Sequence, residues 1–118
     1  MPITMKLESI HYNNIKNKKK LYETRIYDEK RQKIKLLEEI QFVDRTTGNS
    51  FRARITELSY YKNFKEALQE VGMKKVLPNA RSLKKAVKIY ESFPHDSGTY
   101  KTDAQKYGVL RMKFDLLG

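Results

Sequence analysis

The chain has 118 residues, no cysteine and a formal net charge of +11. It is sized for one domain, residues 1–118, and the lack of thiols excludes a disulfide framework and cysteine-based metal or nucleophile chemistry. No apolar run approaches the ~20 residues that cross a bilayer, and the opening MPITMKLESI lacks the apolar centre of a signal peptide, so a soluble, intracellular and cytoplasmic monomer is expected.

MKLES reads as a first short strand. SIHYNNIKNKK follows as a short helix with Ser9 in position to cap it. LYETRIY alternates with the period of a strand: Leu21, Glu23, Arg25 and Tyr27 share one face, and Tyr22, Thr24 and Ile26 the other. DEKRQK is a turn or helical turn begun by Asp28. EIQFVD and FRARITELSYY are strands, and Gly48–Asn49 between them signals a hairpin. NFKEALQEVG is a helix capped by Asn63 and stopped by Gly72, with Glu66 completing a capping box. Its apolar stripe is Phe64, Ala67, Leu68 and Val71. SLKKAVKIYESF is a second helix, capped by Ser82, which buries Leu83, Ala86, Val87 and Tyr90. PHDSGTYKTDAQ reads as a loop with at most one helical turn, bent at Asp96 and Gly98. GVLRMKFDLL closes the chain as a strand. The class is α+β: five or six mostly antiparallel strands that curl into a small barrel, with helices around it.

Charge is unevenly spread. Residues 1–35 carry ten basic and four acidic side chains, residues 36–72 five and six, and residues 73–118 ten and four. Two basic blocks flanking a near-neutral middle favour a polyanionic partner, with RNA or a nucleotide-like ligand first. Lys18, Lys19, Lys30, Arg31 and Lys33, with Lys84, Lys85 and Lys88 on the later helix, are candidates for contact with a nucleic-acid backbone. The alternative for each is a solvated rim that serves solubility.

Strand alternation gathers Glu23, Arg25 and Tyr27 on one face, with Lys20 at the end of the preceding helix. Such a set is either a solvated ion pair on an exposed strand or the polar lining of a cleft. In a cleft, the guanidinium can take a phosphate or a base edge, and a desolvated Lys20 can serve as a base. Tyr60 and Tyr61 with Lys62, and Tyr100 with Lys101 and Tyr107, interleave aromatic and basic residues, and aromatics of that kind suit base stacking as well as a core. His11 and His95 are isolated in sequence, so neither a metal nor a cofactor is expected.

Three stretches, KKLYETRIYDEKRQKIK, FRARITELSYYKNFKEAL and QKYGVLRMKFDL, together resemble the ASCH domain family of the PUA-like superfamily. The resemblance spans roughly residues 5–117. It rests first on Lys20, Glu23 three residues on, Arg25 two beyond that, and the continuation YDEKRQKIK. It implies a small β-barrel with helices around its mouth and a cleft lined by Lys20, Glu23 and Arg25. Related domains bind RNA. Some members are hydrolases, one branch acting on N4-acetylcytidine and another protein on RNA; on that reading Lys20 and Glu23 would be catalytic. Two positions depart from the family. Leu37-Glu38 stands where the family has Gly-Asp, so a different turn is expected there. Glu23 stands where the amidohydrolase branch has Thr, with Thr24 one residue later on the other strand face. The expected function is RNA or nucleotide binding; the alternatives are a hydrolase of nucleic-acid metabolism and a protein-interaction module.

Overall fold

The computed structural model describes residues 3–95 and 98–117. In chain order the elements are β1 (Ile3–Leu7), α1 (Ser9–Lys16), β2 (Tyr22–Ile26), a 3-10 turn (Arg31–Lys33), β3 (Glu39–Asp44), β4 (Ser50–Tyr61), α2 (Phe64–Val71), α3 (Met73–Val76), α4 (Leu83–Glu91), β5 (Pro94–His95), β6 (Gly98–Thr99), α5 (Tyr100–Tyr107) and β7 (Val109–Leu116). Five strands form one sheet in the order β1-β3-β4-β7-β2, and β5-β6 make a small separate ribbon. Three of the four neighbouring pairs in the large sheet are antiparallel, and β1 runs parallel to β3. The sheet curls into a half-barrel, so the expected α+β class with helices around a barrel-like sheet holds. The Cα radius of gyration, 13.3 Å, is that of one folded unit of this length.

Strand alternation explains how one sheet feeds two cores. On β7, Val109 packs with α2, α4 and α5, while Leu110, Met112 and Phe114 pack with β1, α1, β3 and β4. On β2, Tyr22 and Ile26 join the helical core. In that core the Phe64 ring stacks on Tyr90 at 5.2 Å and on Tyr100 at 5.7 Å, nearly parallel to both. α2 and α4 begin as the sequence indicates: Asn63 accepts from the Glu66 amide, and Ser82 from the Lys85 amide.

Three local expectations are corrected. Ser9 does not cap α1; its hydroxyl donates to Asp44 at 2.7 Å and ties the helix to the β3–β4 corner. The segment read as a loop holds α5, a helix of eight residues whose Thr99 and Thr102 form the capping box. The Asp96 part of that loop lies outside the described residues, as does the His95 side chain. The Leu37 turn does not depart from a glycine-compatible shape. Leu37 has φ +69°, the left-handed conformation that glycine enters without strain. Gly108 has the same need for a different reason: at φ +80° its Cβ position lies 3.0 Å from the Tyr61 carbonyl oxygen, so a side chain there would press on β4.

Candidate functional site

β1 and β2 are the two edges of the half-barrel, and the candidate site lies in the seam between them. Edge strands carry amides without a ladder partner. On β2 the Glu23 carboxylate accepts from the Thr24 amide at 3.0 Å, and the Lys75 carbonyl of α3 accepts from the Leu21 amide. Across the seam Arg25 Nη2 donates to the Lys6 carbonyl of β1 and to Glu23 Oε2, each at 3.3 Å.

The way Lys20 becomes buried follows from the end of α1. Lys18 takes a left-handed conformation at φ +62°, and the Lys18 and Lys19 amides donate to the Ile15 and Asn14 carbonyls. That tight turn leaves Lys18 and Lys19 exposed and drives Lys20 inward, to 1 % exposure. Its ammonium donates to the Val76 carbonyl and, at 2.8 Å, to the Tyr90 hydroxyl. Glu23 Oε1 lies 3.4 Å from it. The Tyr90 hydroxyl in turn donates to Glu23 Oε1 at 3.2 Å. A buried lysine is tolerated only when paired and fully hydrogen-bonded in this way.

Electrostatics follow the geometry. Burial by itself would raise the Glu23 carboxyl, but Lys20, Arg25 and the Thr24 amide outweigh it and hold it at about 2. Burial lowers Lys20, against the pull of Glu23. Burial and the Glu23 charge push the Tyr90 phenol well up, so it stays protonated and donates. Burial lowers His11, with Lys20 and Arg25 adding to the effect and Glu23 opposing it.

A cavity of ≈110 Å³ opens over this cluster, lined by His11, Glu23, Thr24, Arg25, Tyr90 and Tyr100 among others. It is small and polar on one wall and aromatic on the other. His11 Nδ1 is buried without a hydrogen-bond partner, and Thr24 Oγ1, beside the Tyr90 phenol, makes no well-aligned hydrogen bond. The cavity can therefore offer an ionised carboxylate, a guanidinium and a neutral imidazole to one planar group.

No protein-family model and no curated protein matches the chain. Among solved structures it is similar to the crystal structure of hypothetical protein PH0355, with a TM-score of 0.84 and 32 % identity over 99 % of this chain and 100 % of that one. It is also similar to the solution structure of protein PF0455 from Pyrococcus furiosus, with a TM-score of 0.77 and 32 % identity over 99 % and 98 %. This chain belongs to one family with them. Neither name states an activity, so the family carries the fold and leaves the chemistry to the site.

Within that shared fold, the predicted site residues divide. Glu23 and Arg25 line the cavity together. Lys20 does not line it; it lies beneath, bonded to Val76, Tyr90 and Glu23, which corrects the expectation of a lysine at the cleft edge. Thr24 faces Arg111 in the ladder yet still borders the cavity, because β2 is an edge strand reachable from both sides. Tyr27, expected in the cleft lining, and Tyr61 and Tyr107, expected to stack, lie elsewhere. Tyr27 packs its ring on Tyr60 at 4.8 Å, Tyr61 donates its hydroxyl to Glu70 at 2.6 Å, and Tyr107 lies under the Lys106 ammonium. Of the stacking candidates Tyr100 does line the cavity, and Tyr90 and Phe93 complete the aromatic wall with it. Sequence reasoning left out His11, Phe93 and Arg45 and read Tyr90 as core alone; no local pattern joins positions so far apart. Lys18, Lys19, Lys30, Lys33, Lys84, Lys85 and Lys88 are exposed, and Arg31 pairs with Asp28 at 2.8 Å.

Among the described residues no three His, Cys, Asp or Glu side chains converge to hold a metal, and no helix is long and apolar enough to cross a membrane.

Proposed function

We propose that the chain binds RNA or a nucleotide-like ligand and takes one base-sized group into the seam cavity. The observation that carries this reading is the Glu23–Arg25 pair. An ionised carboxylate accepts from base amino and ring N–H groups, and a guanidinium donates to base oxygens or phosphate. The two are fixed side by side in a concave, aromatic-walled site on a chain of charge +11. Tyr100 and Phe93 give the group a face to pack on, and the exposed lysines offer phosphate contacts outside it. The resemblance to RNA-binding ASCH domains points the same way.

The test is equilibrium binding of short RNAs over a salt series. A log–log slope of several units is expected. Replacing Lys18 and Lys19 together with Glu should weaken all sequences alike. Arg25→Ala should cost on the order of 2 kcal/mol, more than any single exposed lysine, because it removes a charge-assisted bond at the ligand. A salt slope near zero with no loss in these variants would replace this reading with a protein-interaction module.

A second reading, a hydrolase acting on a modified nucleoside or on RNA, rests on the buried His11 Nδ1, which has no hydrogen-bond partner, in a cavity that Thr24 also lines. Chemistry at neutral pH suits His11 as its base better than Glu23. A carboxylate at about 2 is a feeble proton acceptor, while a neutral imidazole is matched to the task. Lys20 has its protons committed to three acceptors. Product formation from N4-acetylcytidine or from RNA, lost in His11→Asn with binding retained, would support it; binding without product would leave the first reading alone.

A further inference from the structure

Beside the seam cavity lies a second and larger one of ≈600 Å³, between β1 and the 3-10 turn. Lys6, Arg25 and Arg45 border both, so the two adjoin at these side chains. Lys30, Arg31 and Lys33 complete the basic lining, against a single carboxylate, Glu38. Glu38 is already turned to the Lys35 amide, at 2.6 Å. Arg31 is neutralised by Asp28 and Arg25 by Glu23. Lys6, Lys30, Lys33 and Arg45 have no ion pair among the described residues, and all four are exposed at the cavity rim.

Four unneutralised cations around one concavity repel one another, and an anion of matching charge relieves that repulsion. One phosphate fits poorly in both charge and volume. A triphosphate carries one charge on each of two inner groups and about −1.5 to −2 on the outermost, which matches four cations. We propose that this groove is a polyphosphate subsite, and that the preferred ligand carries a 5′-triphosphate whose base lies in the seam cavity. The shared chemistry is the 5′-triphosphate, on a free nucleotide or on the first residue of an RNA. The base position rests on the function proposed above; the groove's own chemistry does not. Arg25 stands where the α-phosphate would pass from one cavity to the other, and both of its bonds to protein use Nη2.

The experiment is calorimetric titration at fixed ionic strength, with chelator present, using inorganic tripolyphosphate, the mono- and triphosphates of each common ribonucleoside, and one short RNA with a 5′-triphosphate or a 5′-hydroxyl. The triphosphates should bind at least about tenfold tighter than the monophosphates, the worth of one charge-assisted bond. Lys30→Ala/Lys33→Ala should erase that preference and leave monophosphate affinity within about twofold. Lys84→Ala/Lys85→Ala, the same charge change on exposed positions of α4, should keep the preference. A tighter complex with triphosphate RNA than with free nucleotide assigns the groove to an RNA end, and the reverse order to a nucleotide. Absence of a triphosphate preference, or equal losses in the two lysine pairs, overturns the proposal; Arg25-dependent monophosphate binding would then still uphold the seam cavity. Tripolyphosphate bound through Lys30 and Lys33 with no gain from a base would uphold the groove and remove the base site.

Discussion

Arg25 and Arg111 stand on adjoining strands of one ladder, one register position apart, and their surroundings could hardly differ more. Arg111 pairs with Thr24 across β2–β7, and Arg25 with Leu110. The Arg111 guanidinium is closed in: it lies 4.9 Å from the Tyr22 ring and 4.8 Å from the Tyr61 ring, with Nη1 donating to the Ala67 carbonyl and Nη2 to Glu70. It pins α2 onto the sheet. Arg25 instead borders two cavities and holds the gap between the sheet edges. The difference is that a cation closed between two rings is structural, whereas one that lines cavities at an open sheet edge can be reached from outside.

That contrast can be broken most forcefully from beneath. Lys20→Ala removes the fully buried counter-charge of Glu23 and leaves only Arg25 to balance it, and is expected to destabilise the fold by about 3–5 kcal/mol, read by denaturant titration. A loss under about 1 kcal/mol would mean the pair is not desolvated.

The acid limb of stability sharpens the same point. The folded Glu23 carboxyl sits at about 2, below its ordinary 4.5. Its contribution is complete above that ordinary value and is lost as pH falls toward 2, on the order of 3 kcal/mol in all. His11, lowered in the fold, adds a loss that begins as pH drops below its ordinary 6.5, where the unfolded chain takes up a proton that the folded one resists. Glu23→Gln should flatten stability between about pH 4.5 and 2 relative to wild type. An unchanged acid limb would contradict the buried pair.

Arg111→Ala should cost about 2–3 kcal/mol of stability, through lost ring packing and the lost buried bond that ties α2 to β7. Its partner Glu70 is exposed, so the ion pair itself contributes little. Smallest of all, Leu37→Gly should stabilise by up to about 1 kcal/mol, because the exposed leucine side chain packs on little and its left-handed backbone is relieved. A lower melting temperature would show that the leucine side chain contributes more than its backbone costs.

Much of the fold was legible because the strands announce themselves by period two and the helices α2 and α4 by cap and stripe. α5 was not, because YKTDAQKY buries only Tyr100 and Ala104 and its capping box uses Thr102 in place of the usual Glu or Gln. The parallel pairing of β1 with β3 has no local signature at all. In the site, Glu23 and Arg25 were legible from alternation together with the family resemblance. Burial of Lys20 was not, since three consecutive lysines read alike and only the left-handed Lys18 separates them. Of the aromatic wall only Tyr100, beside Lys101, was legible; Tyr90 and Phe93 were not, because they come from α4 and the chain after it and meet β2 only in three dimensions.

On the proposed function, the open side of this ladder binds a ligand and the closed side does not. The most direct measurement is the affinity of one short RNA and of its component mononucleotides for Arg25→Ala and Arg111→Ala, each under conditions where the variant is fully folded. A loss of roughly 30-fold is expected in Arg25→Ala, equivalent to about 2 kcal/mol, and affinity within about twofold of wild type in Arg111→Ala. Equal affinities in the two variants, or a loss confined to Arg111→Ala, would contradict it.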